Sequence, residues 1–396
     1  MTDLQLDFLN VLRYSLFPDQ IESECKGQMQ NLSPELIMEA RMQAVLPLVA
    51  SSPEAYAIVS RNVQILYEQK QLEDVLYKAS VPFAVLKGSA ASVYYPEPLK
   101  RTLGDIDIIV RPEKFLEAYN TLKSLGYYTQ DAPDKNEREL HFAKNGILIE
   151  LHRSYAELNT KAQESLLDQW IYDEILETTI GKVNDKTFPM LNEPLNGLIL
   201  LSHIRHHLEA GLGFRQIIDW EMYVNRELHD DCWPLFKERT DQLGLTKLAK
   251  ITARLGQIYL GLPEENITWC MDTDETLCEK LVDHVFECGN FGAKMGADNS
   301  VVTVFSKSNG VKGFFASLQN SGEKTWKALE KHPELTPAAW IYQGFRWAYR
   351  GIKNVTFSNL IRDYKDSKKR SGLMEELEVK KQRDDKRADE KSGATS

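Results

Sequence analysis

Through the first eighty residues the apolar positions recur at helical spacing. Both "LDFLNVLRYSLF" and the long "EAYAIVSRNVQILYEQKQLEDVLYKAS" place hydrophobic side chains on one face of a 3.6-residue period. The period then changes. "VPFAVL", opened by proline, and "DIDIIV" are short apolar runs of strand length, and "GSAASVYY" between them reads as a short helix that ends before Pro96. "PEKFLEAYNTLKSLGY" predicts a helix with proline in its first turn and Gly126 at its end. "HFAKNGILIELH" reads as two strand segments folded about Asn145-Gly146, a strong hairpin signal. After Pro189 helical spacing returns: Asn192 is placed to cap "EPLNGLILLSHIRHHLEAG", with Pro194 in its first turn, and further helices follow to about Tyr364. From Lys365 onward the chain is dense in charges of both signs. It lacks the apolar area to order itself, apart from a short solvated helix around "LMEELEVKKQ".

The pattern predicts an α+β fold in which a small mixed β-sheet core is flanked by helices and followed by a mostly helical C-terminal domain. The expected divisions are an N-terminal helical region (1–79), the α/β core (80–190), a helical C-terminal domain (191–364) and a disordered charged tail (365–396). No internal repeat of fixed period is visible.

Length and charge narrow the classes. With 396 residues the chain is long enough for two or three domains, and its net charge of −10 argues against generic DNA or RNA binding, which rests on clustered Lys and Arg. Five cysteines without a CxxC pair read as reduced thiols. Cys278, His284 and Cys288 lie close together but lack a fourth zinc ligand. No stretch has the length of a membrane span, and "MTDLQLDFLNVLRYSLF" has neither a basic start nor a small-residue cleavage site. The expected location is therefore cytoplasmic.

The chemistry concentrates between Lys87 and His152. Alternation along a strand sets Asp105 and Asp107 on one face and Ile106, Ile108 and Val110 on the other. In the hairpin, Leu148, Glu150 and His152 likewise share a face opposite Ile147, Ile149 and Leu151. If the two strands are neighbours, Glu150 meets both aspartates. Clustered carboxylates raise one another's pKa unless a cation sits among them, and Mg²⁺ takes carboxylate and phosphate oxygens. Alone, an Asp-x-Asp pair more often marks a solvated strand end. The preceding "VLKGSAAS" adds a strand running into Lys87-Gly88-Ser89 and a short helix. Gly88 lets the backbone approach a ligand, the first helical amides can receive phosphate oxygens, and Ser89 and Lys87 bring a hydroxyl and a charge. The bland counterpart is an ordinary strand–helix turn. An anion cradle followed so closely by an acidic pair points instead to nucleotide chemistry.

Strand, Gly-Ser, short helix, Asp-x-Asp and a later acidic strand residue resemble the nucleotidyltransferase superfamily of the polymerase-β type. More narrowly, "LKGSAASVYYPEPLKRTLGDIDIIV", then "IELHRS", then the helix "LLSHIRHHLEAGLGFRQIIDW" resemble the bacterial family labelled uncharacterised nucleotidyltransferase, from about Val81 to Tyr223. That resemblance implies an enzyme that moves a nucleoside monophosphate from an NTP to an acceptor and releases pyrophosphate, with Mg²⁺ or Mn²⁺ as cofactor. It implies that Asp105, Asp107 and Glu150 are catalytic and bind metal, and that Lys87, Gly88, Ser89 and Arg101 bind the nucleotide, Arg101 either touching phosphate or bracing the loop. It is nearly silent on the acceptor, which could be a small molecule, a sugar-phosphate, a peptide or a protein. Two other readings stand beside it: a catalytically weak nucleotide-binding or regulatory module, and a toxin–antitoxin-type modifier of a protein or tRNA.

His152 shares the Glu150 face and reads as a packed histidine behind it. "HIRHH" sets His203, His206 and His207 on nearly one helix face. A zinc ion there needs a further ligand such as Asp219; core histidines, or a helix face turned to the cleft, are the commoner readings. Arg215 and Asp219 are candidates for a buried pair or for ligand contact. His203, His207, Arg215 and Asp219 together lead to the expectation that this helix walls the cleft. "WIYQGFRWAYRGIKN" mixes aromatics with cations, as a nucleic-acid groove does and as a core-covering helix with snorkelling cations also does; packing is favoured at this net charge.

Overall fold

The two apolar runs with strand periodicity are β1 (Phe83–Leu86) and β2 (Ile106–Val110), antiparallel neighbours at the centre of a six-stranded sheet. All nine of their residues are buried, as the near-continuous apolar sequence requires. The structure, a computed structural model, describes residues 1–18, 32–133, 138–265, 267–294 and 368–380. Asn145 and Gly146, both at positive φ, form the two-residue turn between β3 (Glu139–Lys144) and β4 (Ile147–His152), as the Asn-Gly signal predicts. β4 pairs parallel with β2 on its other side. A second hairpin, β5 (Thr179–Val183) and β6 (Lys186–Met190), completes the order β3-β4-β2-β1-β6-β5, with β6 parallel to β1. The mixed sheet with surrounding helices is the α+β architecture expected.

Helices account for the rest. Thr2 and Gln5 form a capping box for α1 (Asp3–Leu16). After α2 (Pro34–Met42) and the short α3 (Leu46–Val49), Ser52 caps α4 (Pro53–Lys78), a 26-residue helix with Pro53 in its first turn. The five-residue α5 (Gly88–Ser92) follows β1 directly, and α6 (Phe115–Ser124) begins after a 3-10 turn over Pro112–Lys114 and ends before Gly126 at φ +80°. α7 (Lys161–Glu174) precedes the second hairpin. α8 (Leu195–Ala210), α9 (Phe214–Glu227), α10 (Trp233–Leu243), α11 (Thr246–Leu255) and α12 (Glu275–Cys288) build the helical region. No helix among the described residues is long and apolar enough to cross a membrane.

Three local expectations are corrected. Asn192 does not cap α8: its amide donates to Glu174 Oε2 at 2.7 Å and to the Glu177 carbonyl at 2.6 Å, and Pro194 stands at the cap position with the helix starting at Leu195. The segment near "LMEELEVKKQ" is helical over 368–376 but packed rather than solvated; Leu373, Met374, Leu377 and Val379 are buried, because their spacing gives even this charged stretch one apolar face. The β5–β6 hairpin has no counterpart in the sequence reading. The aromatic–cationic stretch 340–354 lies outside the described residues.

α1 packs against residues far along the chain. Arg13 Nη2 donates to the Ile258 carbonyl at 2.8 Å, and the Phe8 ring lies 5.8 Å from Phe214 and 6.0 Å from Phe286. α8 and α9 approach so closely that a Cβ on Gly197 would sit 2.3 Å from the Tyr223 ring. Alanine in a helix interior normally gains about 1 kcal/mol over glycine. At Gly197 it must displace a fully buried tyrosine, so Gly197→Ala is expected to be net destabilising by about 1–3 kcal/mol in chemical denaturation.

His284 on α12 lies buried, with Arg370 and Lys369 as nearby positive charges. Burial, aided by Arg370 and Lys369, pushes its pKa down to about 3. Below about 6.5 the unfolded chain takes a proton that the folded chain refuses, so stability present above 6.5 is lost as pH falls toward 3. Equilibrium unfolding against pH is expected to lose up to about 1.4 kcal/mol of slope per pH unit in that window in His284→Leu.

Candidate active site

The site lies where the C-terminal end of β1, the start of β2 and the end of β4 meet α8 and α9. The parallel register sets Asp107 opposite Glu150, as the shared-face argument requires. One ligand atom from each of Asp107, Glu150 and His152 falls within 4.8 Å of the others, and this is the one such potential metal-holding group among the described residues. Asp105 lines the same cleft without joining that set. It lies one residue before the β2 ladder begins, so the alternation that aligns Asp107 with Glu150 does not extend to it.

Two side-chain cations already balance these carboxylates. Lys87 Nζ stands 2.7 Å from Asp107 Oδ1 and 3.8 Å from Glu150 Oε2, and 5.3 Å above the Tyr155 ring. His152 Nε2 lies 3.0 Å from the same Asp107 oxygen and 3.5 Å from Glu150 Oε2, with Nδ1 3.1 Å from Glu139 Oε2. Burial alone would lower the Lys87 pKa, but Asp107, Tyr155 and Glu150 outweigh it and raise it. Burial likewise opposes protonation of His152, yet its hydrogen bonds to Asp107, Glu139 and Glu150 hold its pKa up at about 10. The hydrogen bond from His152 lowers Glu150, whereas burial and then the neighbouring Asp107 raise Asp105. Lys87 reaches this position from a backbone at φ +45°, and Gly88 beside it is at φ +21°. Both residues therefore sit in conformations that L side chains rarely adopt.

The other nucleotide-binding candidates divide. Gly88 lines the cleft. Ser89 does not: it is buried, and its hydroxyl donates to Gln69 Oε1 on α4, because the first turn of α5 directs it to the long helix. Arg101 is a brace. Its Nε and Nη2 donate to Asp219 Oδ1 and Oδ2 at 3.0 and 2.7 Å, with both residues at most 3 % exposed. The Tyr95 hydroxyl donates to Asp219 Oδ1 at 2.7 Å. The expected Arg215–Asp219 pair is thus replaced by Arg101–Asp219, and Asp219 is available neither to zinc nor to a ligand.

α8 does wall the cleft, and His203, His206 and His207 line it. His203 Nε2 and His207 Nε2 are 2.9 Å apart, and His206 Nδ1 is 2.7 Å from Glu157 Oε2. Burial first, and then the neighbouring histidines and cations, push His203 and His207 well below the ordinary histidine range, so both are neutral near pH 7. Arg215, at the start of α9, also lines the cleft. Sequence reasoning missed Arg138, Glu139, Tyr155, Glu157 and Phe291 as lining residues. For Glu139 a signal existed, since the hairpin register that follows from the Asn-Gly turn sets it opposite His152. Tyr155 and Phe291 lie in irregular segments with no periodicity to orient them.

Removing one member of a buried, hydrogen-bonded ion pair strands the other. Asp219→Ala is expected to cost about 3–5 kcal/mol in equilibrium unfolding, and Arg101→Met combined with Asp219→Leu is expected to recover most of it.

No curated protein matches the chain. Over residues 29–261, more than half of its length, the chain matches the family described as uncharacterised nucleotidyltransferase. The match spans α2 to the residues after α11, including every strand of the sheet and both helices that wall the cleft. With acidic residues paired across parallel strands beside a strand–turn–helix, this protein belongs to the uncharacterised nucleotidyltransferase family.

Proposed function

We propose that the cleft is a divalent-metal-dependent active site that transfers a nucleoside monophosphate from an NTP to an acceptor. The observation that carries this reading is the Asp107–Glu150 pair, held side by side by the parallel β2–β4 register in a cleft entered from the β1–α5 turn. Carboxylate oxygen donors of this kind suit Mg²⁺ or Mn²⁺. The donor set fits such an ion, because the carboxylates are arranged around positive charge that Lys87 and His152 now supply. A bound divalent ion would add neutralisation of the phosphates and polarisation of the reacting oxygens.

The remaining steps belong to the chain itself. Gly88, whose absent Cβ leaves space next to the Asp105 carbonyl, lets the nucleotide's phosphates approach the backbone. Lys87 exchanges Asp107 for a phosphate oxygen. An acceptor oxygen or nitrogen forms a bond to the α-phosphorus as the α–β phosphoanhydride bond breaks, and pyrophosphate departs with the electron pair. Glu150, kept ionised by its hydrogen bond with His152, takes the acceptor's proton. The α8 wall with His203 and His207 faces the reacting centre and limits water there.

Asp107→Asn and Glu150→Gln are expected to reduce transfer of α-labelled NTP per folded molecule by at least about a hundredfold, with Asp107→Asn also lowering the melting temperature because it strands the largely buried Lys87 and His152. The assay screens small-molecule, peptide and protein acceptor pools with each of the four labelled NTPs. Chelation with EDTA is expected to abolish transfer, and added Mg²⁺ or Mn²⁺ to restore it. Unaltered transfer in both variants, or transfer that survives EDTA, removes the reading.

A further inference from the structure

Arg215 is a buried cation that makes no salt bridge among the described residues, although Asp219 and Asp105 lie near enough to favour its charge. Arg215 is 7 % exposed, and its hydrogen bond among the described residues is Nη1 to the Thr102 carbonyl at 3.3 Å. Its Nε has no partner among the described residues. The nearest candidate, Asp219, gives both oxygens to Arg101. The guanidinium stacks over the Phe291 ring at 5.0 Å, with the fork held in a fixed orientation at the cleft wall. Burying a guanidinium unpaired is costly, and a fork with unused N–H groups suits a phosphate oxygen pair.

A second buried group on the same wall is also unspent. His207 is 4 % exposed, its Nε2 meets His203, and its Nδ1 has no partner. With His203 as donor in that contact, His207 carries its proton on Nδ1 and can donate it. Burial, followed by the nearby Arg101, lowers the Arg215 pKa to about 10 against the opposing pull of Asp219 and Asp105. Position narrows the ligand. The Nη1 atom lies 4.0 Å from where a Cβ on Gly104 would stand, and Gly88 packs near the Asp105 carbonyl. Arg215 is thus on the Gly88–Asp105 side of the cleft, whereas His152 and Glu139 occupy the other, around Asp107 and Glu150.

We infer that Arg215, assisted by His207, is the seat for the terminal phosphate of the nucleotide donor, and so selects a triphosphate over shorter phosphate chains and holds the departing pyrophosphate. The inference rests on the nucleotidyl-transfer reading and adds to it a specificity-determining residue outside the strand–turn–helix and the acidic strands.

Isothermal titration of the full chain with Mg²⁺ tests it. The probes are the tightest-binding of ATP, GTP, CTP and UTP, the corresponding di- and monophosphates, and inorganic pyrophosphate. Arg215→Met is expected to weaken triphosphate and pyrophosphate binding by roughly 10–100-fold and leave the monophosphate unchanged, the value of a charged hydrogen bond or two. Arg215→Lys keeps the charge without the fork; it should fall between, and it serves if the Met variant does not fold. Three results overturn the assignment: equal loss across mono-, di- and triphosphate; no loss; or loss for pyrophosphate but not triphosphate, which places an acceptor's anion at Arg215. If the parent chain binds none of the nucleotides, the nucleotidyl-transfer reading falls as well. If it binds them and Arg215→Met keeps the parent ratio of triphosphate to monophosphate affinity, only the Arg215 inference falls.

Discussion

The buried Arg101–Asp219 pair fixes the geometry on which the cleft depends. Arg101 stands just before the turn into β2, and Asp219 lies in the middle of α9, so the pair ties the acidic strand to the helical region. It is reinforced by Tyr95 on the segment that follows α5. Asn62 of α4 grips the same loop, donating to the Leu99 and Arg101 carbonyls and accepting from the Leu103 amide at 2.8–2.9 Å. Two helices, α4 and α9, therefore converge on residues 99–103, and the chain enters β2 at one position. Because Asp219 gives its hydrogen bonds to Arg101, Arg215 four residues earlier faces the cleft with no salt bridge among the described residues, and Asp219 and Asp105 act on it only at longer range. A buried ion pair is weak evidence of net stability, since desolvation offsets much of its Coulombic gain. Its worth here is in orientation.

Burying two carboxylates side by side is unfavourable unless positive charge accompanies them. The chain supplies that charge from two directions. Lys87 arrives from the β1–α5 turn, and His152 from the strand that carries Glu150. Both lie against one oxygen of Asp107, so this aspartate is the centre of the arrangement, with Glu150 shared at longer distance. The inward face of the sheet can thus hold acids where a purely structural sheet would hold Val or Ile. The opposite face, with Ile106, Ile108 and Val110, remains core.

Much of this is legible in the sequence, for identifiable reasons. Strand alternation foretells that Asp107 and Glu150 share a face, and the Asn-Gly turn fixes the β3–β4 register. The long helix α4 announces itself by length, by Ser52 and by Pro53. Partner choice is less accessible. The sequence offers Asp219 only Arg215, one helical turn away, and the packing of α9 against the pre-β2 loop gives it Arg101 instead. Ser89 resembles a ligand-facing hydroxyl until Gln69, twenty residues earlier on another element, is seen to take it. Asp105 and Asp107 line one cleft as alternation foretells, but Asp105, one residue before the ladder begins, stays outside the close Asp107–Glu150–His152 set. The β5–β6 strands escape because they alternate weakly, with exposed Ile180 on one and Pro189 within the other.

The same charges explain why the cleft sits at a seam rather than within the sheet. The carboxylates come from strands, whose parallel register holds them at fixed spacing, whereas the unpaired guanidinium and the neutral histidines come from helices across the gap. Carboxylates and a free Arg on one element would pair with each other and close the site. With Asp219 hydrogen-bonded to Arg101, Arg215 on α9 faces the cleft across from Asp107 and Glu150, whose charge is balanced on their own side by Lys87 and His152. A polyanion carrying its own divalent cations has complementary charge for both walls, and a lone anion or a lone cation has it for only one. On the nucleotidyl-transfer reading, a metal-bound phosphate chain would meet both the strand carboxylates and the guanidinium across the gap.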